Sequence, residues 1–168
     1  MNRYSIFILL ILLFSCDNNN DKENATLDAE TETGSIVIEK GVPVYNPDSK
    51  LYLWRSTDDY KKIKNEQASP AIANTDSLIK GLNEYYENVY LEKVKQSGDT
   101  VYAIIKNSEY LTQRMGSTGA EMYIADVVLN LTAINGIRYV KIEMEEGDHA
   151  QPGTWSKEDF KTYKEATQ

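Results

Sequence analysis

Residues 120–144 constrain the fold more than any other part of the chain. Ala120, Tyr123, Ile124, Val127, Val128, Leu131 and Ile134 recur at the three- and four-residue spacing of one helix face, which predicts an amphipathic helix. Asn135-Gly136 stops it, because glycine takes the left-handed backbone of a helix end without steric cost. Ile137-Arg138-Tyr139-Val140-Lys141-Ile142-Glu143-Met144 then alternates with period two, the pattern of a half-buried strand. A helix with one apolar stripe, turning through glycine into such a strand, has to pack as a layer of helix on sheet.

The flanking sequence fills in that layer. Ser35-Ile36-Val37-Ile38-Glu39-Lys40 and Val42-Pro43-Val44-Tyr45 suggest short strands around a break at Gly41, and Asn46-Pro47-Asp48-Ser49 reads as a turn. Leu51-Tyr52-Leu53-Trp54 reads as a buried strand. Residues 56–75 lose the pattern and read as a long surface connection with room for one short irregular strand. Asn74 or Thr75 caps a helix that carries Leu78, Ile79, Leu82 and Tyr85 or Tyr86 on one face and ends at Asn88. Residues 89–94 and 101–105 flank Gln96-Ser97-Gly98-Asp99, the composition of a hairpin connection. Ser156 caps a last short helix through Tyr163, held down by Trp155 and Phe160. The order predicts an α+β fold in which two helices pack on one face of a small mixed or antiparallel sheet, after a disordered N-terminal tether.

The N-terminus is of another kind. Met1-Asn2-Arg3-Tyr4 is a short positive start, and residues 6–14 are an unbroken apolar run. That run is about half the roughly 20 residues a helix needs to span a bilayer, so export and removal fit better than a permanent span. Leu13-Phe14-Ser15-Cys16 resembles the bacterial lipobox, with a bulkier residue than usual at Phe14; the resemblance implies cleavage before Cys16 and diacylglycerol on that cysteine, with palmitate among the acyl chains. The division expected is a signal peptide over residues 1–15, lipidated Cys16 and a disordered tether over residues 16–34, and one domain over residues 35–168. Asp17-Asn18-Asn19-Asn20-Asp21-Lys22-Glu23-Asn24 and the polar residues after it have too little apolar content to bury, and serve as a solvated spacer. Acidic residues just after the lipidated cysteine also resemble surface-export signals of the Bacteroidetes group. Cys16 is the only cysteine, so no intramolecular disulfide forms and stability must come from packing.

Charge narrows the partners. The net charge is −8, and losing residues 1–15 takes Arg3 and moves it to −9. A nucleic-acid partner is excluded by the absence of a Lys/Arg stripe, since phosphate tracking needs clustered cations. The same charge repels anionic headgroups, so attachment falls to lipid on Cys16, where two or three acyl chains anchor and one does not. The expected location is the bacterial cell envelope, and the expected partners are the membrane and an envelope protein or glycan.

Residues 51–144 resemble the GerMN domain of spore-germination and other exported lipoproteins. The resemblance lies chiefly in Leu131-Thr132-Ala133-Ile134-Asn135-Gly136-Ile137-Arg138-Tyr139-Val140-Lys141-Ile142, and also in Ser77-Leu78-Ile79-Lys80-Gly81-Leu82. It implies a noncatalytic envelope or assembly module. The chain departs from the family pattern after Met144, where Glu145-Glu146-Gly147-Asp148-His149-Ala150-Gln151-Pro152-Gly153 replaces a short ending.

That departure is the candidate ligand or partner loop: Glu145, Glu146, Asp148 and His149, with Glu143 just before them. Oxygen ligands beside one imidazole suit a divalent cation, but the spacing matches neither a calcium loop nor a zinc pattern, so neither metal nor cofactor is assigned. An acidic loop shaped by Gly147, Pro152 and Gly153 accounts for the same residues. Gly116-Ser117-Thr118-Gly119 is neither a nucleophile elbow nor a phosphate loop, and is expected to be a helix-start turn. The chain has 12 tyrosines, and their alternation with apolar residues implies half-buried packing, with some left to line a groove for glycan or protein. The function expected is a membrane-anchored, noncatalytic binding or assembly module. The alternative is a cell-wall or glycan-acting hydrolase using acidic residues.

Overall fold

Two alternating segments, Thr100–Ile105 (β4) and Tyr139–Met144 (β5), lie side by side in the computed structural model, which describes residues 44–69, Ile72 and residues 74–166. They pair in parallel, with Val101 opposite Val140 and Ala103 opposite Ile142. The parallel sense follows from the helix Gly116–Leu131 (α2) in the chain between them, since parallel neighbours need a long crossover. Val101, Ala103, Ile105, Val140 and Ile142 are buried, while Tyr102, Ile104 and Lys141 on the other face are half-buried. Glu92–Ser97 (β3) joins β4 as an antiparallel hairpin with a register shift between Lys93 and Lys95. The turn is Gly98-Asp99, with Gly98 at φ +58°, the left-handed region that hairpin turns require. Gly153–Ser156 (β6) adds antiparallel to β5, completing a mixed sheet in the order β3-β4-β5-β6.

The helix Thr75–Tyr85 (α1) starts where expected and ends three residues before Asn88: Asn74 accepts from the Ser77 N–H at 2.9 Å, and Leu78, Ile79 and Leu82 face the core. Helix α2 differs from expectation in two ways. It begins at Gly116 and ends at Leu131, so Ile134 sits in the turn that follows, closed by Gly136 at φ +88°. It is also buried on nearly every side, with Ala120 and all of residues 123–131 in the interior. An amphipathic helix would leave Asp126 and Asn130 in water; here a second sheet covers them. A π-helical turn, Tyr110–Arg114, precedes α2 and buries Leu111 and Thr112.

The second sheet is the part of the fold that periodicity did not reveal. Trp54–Ser56 (β1) pairs antiparallel with Lys61–Lys64 (β2), and Lys164–Glu165 (β7) returns from the far end of the chain to pair in parallel with β2. The strand expected from Leu51 therefore starts three residues later, and residues 51–53 are half-buried coil. Val44 and Tyr45, expected in a strand, lie outside any and are 66% and 50% exposed. Residues 1–43, with Cys16, the tether and the first expected strand, lie outside the described residues. Ser156 does cap a helical segment, through a reciprocal capping box with Asp159, but it is one 3₁₀ turn, Lys157–Phe160, stopping short of Tyr163.

Gly81 marks a close crossing. A side chain on its backbone would overlap the Leu51 carbonyl, so the 51–53 segment crosses α1 at backbone contact distance. Gly81→Ala is expected to push that segment off the helix and destabilise the domain by about 1–3 kcal/mol despite alanine's better helix propensity. Urea unfolding of both forms checks this, and an unchanged or raised midpoint would count against the close crossing.

Candidate functional site

Two places are candidates: the acidic loop picked out by sequence, and a cleft where β1 meets α1 and α2.

The acidic loop is a tied-down connection. Ser108 Oγ donates to the Glu145 carbonyl (3.2 Å) and accepts from the Glu145 N–H (3.1 Å), as a neighbouring strand would. The Gly147 N–H donates to the Ala150 carbonyl, and the His149 N–H donates to the Thr112 carbonyl in the π-helical turn. Gly147 is needed because a side chain there would strike Thr112 and Gln113. The carboxylates of Glu143, Glu145, Glu146 and Asp148 belong to exposed residues, and Glu143 is ion-paired with Lys141. Among the described residues, no three His, Cys, Asp or Glu side chains gather closely enough to hold a metal ion. The loop does bring His149 Nδ1 within 3.1 Å of the Ser117 hydroxyl at the start of α2, a contact across 32 residues that nothing in the sequence signals. No carboxylate among the described residues is hydrogen-bonded to that imidazole.

The cleft is built on Asp126, one helical turn before Asn130. The Asp126 Oδ1 accepts from the Ser56 N–H at 2.5 Å, and its Oδ2 accepts from the Tyr86 hydroxyl at 2.6 Å. The Asn130 Oδ1 accepts from the Leu53 and Trp54 N–H groups, while its Nδ2 donates to the carbonyls of Trp54 and Asp126. Burial pushes the Asp126 carboxyl up to about 6; the hydrogen bonds from Tyr86 and Ser56 and the nearby Arg55 charge act in the opposite sense but do not cancel it. Burial likewise raises the Tyr86 and Tyr123 hydroxyls, each with Asp126 as the next cause. The Tyr123 hydroxyl is fully enclosed without a partner. The Ser56 hydroxyl makes no hydrogen bond of acceptable geometry, although it lies near enough to Asp126 to favour the ionised carboxylate.

Outside this buried core the cleft opens to about 430 Å³, lined by Arg55, Ser56, Thr57, Asp58, Tyr85, Tyr86 and Met122. Arg55 Nη1 donates to the Tyr85 hydroxyl at 2.7 Å, and the guanidinium lies 5.6 Å from the centre of the Tyr85 ring. Tyr52, Tyr85, Tyr86 and Tyr123 follow one another in edge and tilted ring contacts, with centroids 4.9–5.2 Å apart. Tyr86 also lines a second cleft of about 400 Å³ with Tyr45, Glu87, Asn88 and Tyr90. The sequence leads to an expectation of tyrosines chiefly as half-buried packing residues, with some left for a groove, and gives no expectation for Arg55 or Asp126. The one local signal is the i, i+4 pair Asp126 and Asn130 interrupting the apolar run of α2, which is costly unless both are satisfied.

No family model, curated protein or solved structure matches the chain.

A carboxyl whose folded value lies above its unfolded value of about 3.9 stabilises the fold most when protonated. The Asp126 contribution is therefore fully present below about pH 4 and is lost as pH rises through about 6. Asp126→Asn keeps an acceptor for the Ser56 N–H and removes the titration. Wild type is expected to lose stability relative to this variant between pH 4 and 7, by on the order of 3 kcal/mol. Denaturant midpoints of both proteins across that range decide it; parallel curves would refute the assignment.

Proposed function

We propose that this chain is a lipid-anchored envelope protein whose domain binds or helps assemble a partner without performing chemistry on it. The observation that carries the noncatalytic part is the engagement of Asp126. It is the buried carboxylate beside the cleft, and both its oxygens accept hydrogen bonds that tie β1 and α1 to α2. A general acid or base must exchange its proton with substrate, and Asp126 is committed to the scaffold instead. The signal-like start, the lipobox-like Leu13-Phe14-Ser15-Cys16 and the polar residues after it support anchoring through Cys16. The run of helix, glycine turn and strand across residues 131–142 supports a GerMN-like assembly role.

The competing reading is an envelope hydrolase, favoured by Ser117 Oγ lying against His149 Nδ1. A serine nucleophile needs a base that is itself oriented by a third group, and no carboxylate among the described residues is hydrogen-bonded to that imidazole. Three results are expected when the protein is isolated from envelopes. The mature N-terminus should begin at Cys16 with two or three acyl chains by mass spectrometry, Cys16→Ala should lose the lipid, and a fluorophosphonate probe should leave Ser117 unlabelled. An unlipidated Cys16 would overturn the anchor, and labelling of Ser117 that His149→Ala abolishes would replace binding with hydrolysis.

A further inference from the structure

We infer that the Arg55 cleft binds the carboxylate-bearing ring of an acidic sugar, which would make the partner of the binding domain proposed above a uronic-acid-type glycan. The inference rests on that noncatalytic reading and adds the ligand class to it.

The first observation is the state of Arg55. Three arginines fall among the described residues; Arg114 is ion-paired with Glu109 and Arg138 with Asp99. Arg55 has no carboxylate within ion-pair distance among those residues, and its side chain makes one hydrogen bond, to the Tyr85 hydroxyl. A guanidinium carries five donors in a planar fork that matches a carboxylate two at a time, so most of the capacity of this cleft-lining arginine is unused. In a chain of net charge −8 a half-buried arginine that feels the Asp126 charge without touching it, and has no acid in contact among the described residues, is out of keeping with its surroundings. The tyrosine hydroxyl and ring fix its plane.

The second observation is what surrounds it. Tyr85 and Tyr86 line the cleft as half-buried aromatic residues, the residue type on which the C–H face of a sugar packs, with their hydroxyls already engaged by Arg55 and Asp126. Asp58 lines the same cleft, is exposed, and is not ion-paired with Arg55, so it offers an acceptor for ring hydroxyls at a separate point. The volume of about 430 Å³ lies in the range of small-ligand sites. Tyr86 connects this cleft to the second one, where Tyr45 is 50% exposed, giving a neighbouring ring the same kind of surface.

These features favour a sugar acid over other anions. A peptide C-terminus would also meet Arg55, but its last side chain would find one aliphatic residue, Met122, and no enclosed apolar pocket in the lining. A dense polyanion would meet a net-negative protein with Asp58 in the cleft itself. One carboxylate per ring, spaced by hydroxyls, fits a single guanidinium with an acceptor beside it.

The test is calorimetric titration of the purified full chain in detergent with trigalacturonate, its methyl ester, and a tripeptide with a free C-terminal carboxylate. The acid is expected to bind at least about tenfold more tightly than the ester, which keeps the rings and removes the charge. Arg55→Lys, which keeps the charge but not the fork, should weaken the acid about tenfold and leave the ester unchanged. Asp58→Asn should weaken acid and ester alike, and thermal melts of each variant establish that the fold is retained. Equal binding of acid and ester, no response to Arg55→Lys in a folded variant, or a tripeptide that binds more tightly than the sugar would each overturn the inference. Release of new reducing ends with the charge preference intact would instead overturn the noncatalytic reading and leave the carboxylate subsite standing.

Discussion

The structure depends on a helix acting as the neighbour of a strand. Residues i and i+4 of α2, Asp126 and Asn130, present side-chain acceptors and a donor to the backbone of Ser56 and Trp54, which would otherwise face the interior unpaired. The geometry suits this: four residues of α-helix rise about 6 Å, and two residues of strand advance about 6.6 Å. Asp126 meets Ser56 and Asn130 meets Trp54, so helix and strand run in opposite senses. Leaving such buried N–H and C=O groups unsatisfied costs about 1–3 kcal/mol each. Without the pair β1 has no place on α2, and β2, which pairs with β1 on one side and β7 on the other, loses one of its two neighbours.

The same device recurs elsewhere. The Asn83 side chain donates to the Leu91 carbonyl and accepts from the Leu91 N–H, both at 2.8 Å, joining α1 to the start of β3 as a backbone pair would. Ser108 does this for Glu145 at the end of β5, and Asn65 donates to the Ser49 and Tyr52 carbonyls beneath the coil that crosses α1. Short polar side chains thus complete the hydrogen bonding wherever a strand is too short or too isolated to find a partner strand. A domain with no disulfide gains order this way, because each bridge accepts only one register of the segment it holds.

How much of this was legible follows from how far each signal reaches along the chain. Helix α1, the β3–β4 hairpin and the passage from α2 to β5 were legible because periodicity, caps and the Gly98 and Gly136 turns all act within a few residues. The second sheet was not. Its strands have 3, 4 and 2 residues, too few to show alternation, and β7 meets β2 from the opposite end of the domain. Asp126 and Asn130 were hidden for a related reason, since a polar pair one turn apart on a helix is the ordinary mark of a solvated face. The acidic loop, conspicuous by composition, exposes its carboxylates and gathers none of them. The cleft was invisible because its lining comes from residues 55–58, 85–86 and 122, which only the packing of β1 between α1 and α2 brings together.

That origin gives the cleft its physical character. Arg55 lies on β1 between the two residues whose backbones α2 holds, so the constraint that places the strand also places the guanidinium. Tyr85 orients the head group, and Tyr86, next in sequence, donates its hydroxyl to Asp126. Site and scaffold therefore share one electrostatic unit: Arg55 favours the ionised form of Asp126, and the Asp126 charge favours the protonated form of Arg55. A binding group set on strands and helices, with its neighbours fixed by hydrogen bonds, meets a ligand already ordered, so less of the interaction is spent on freezing side chains. The buried carboxylate is costly to keep charged, yet it holds in place the strand that carries the cleft's arginine.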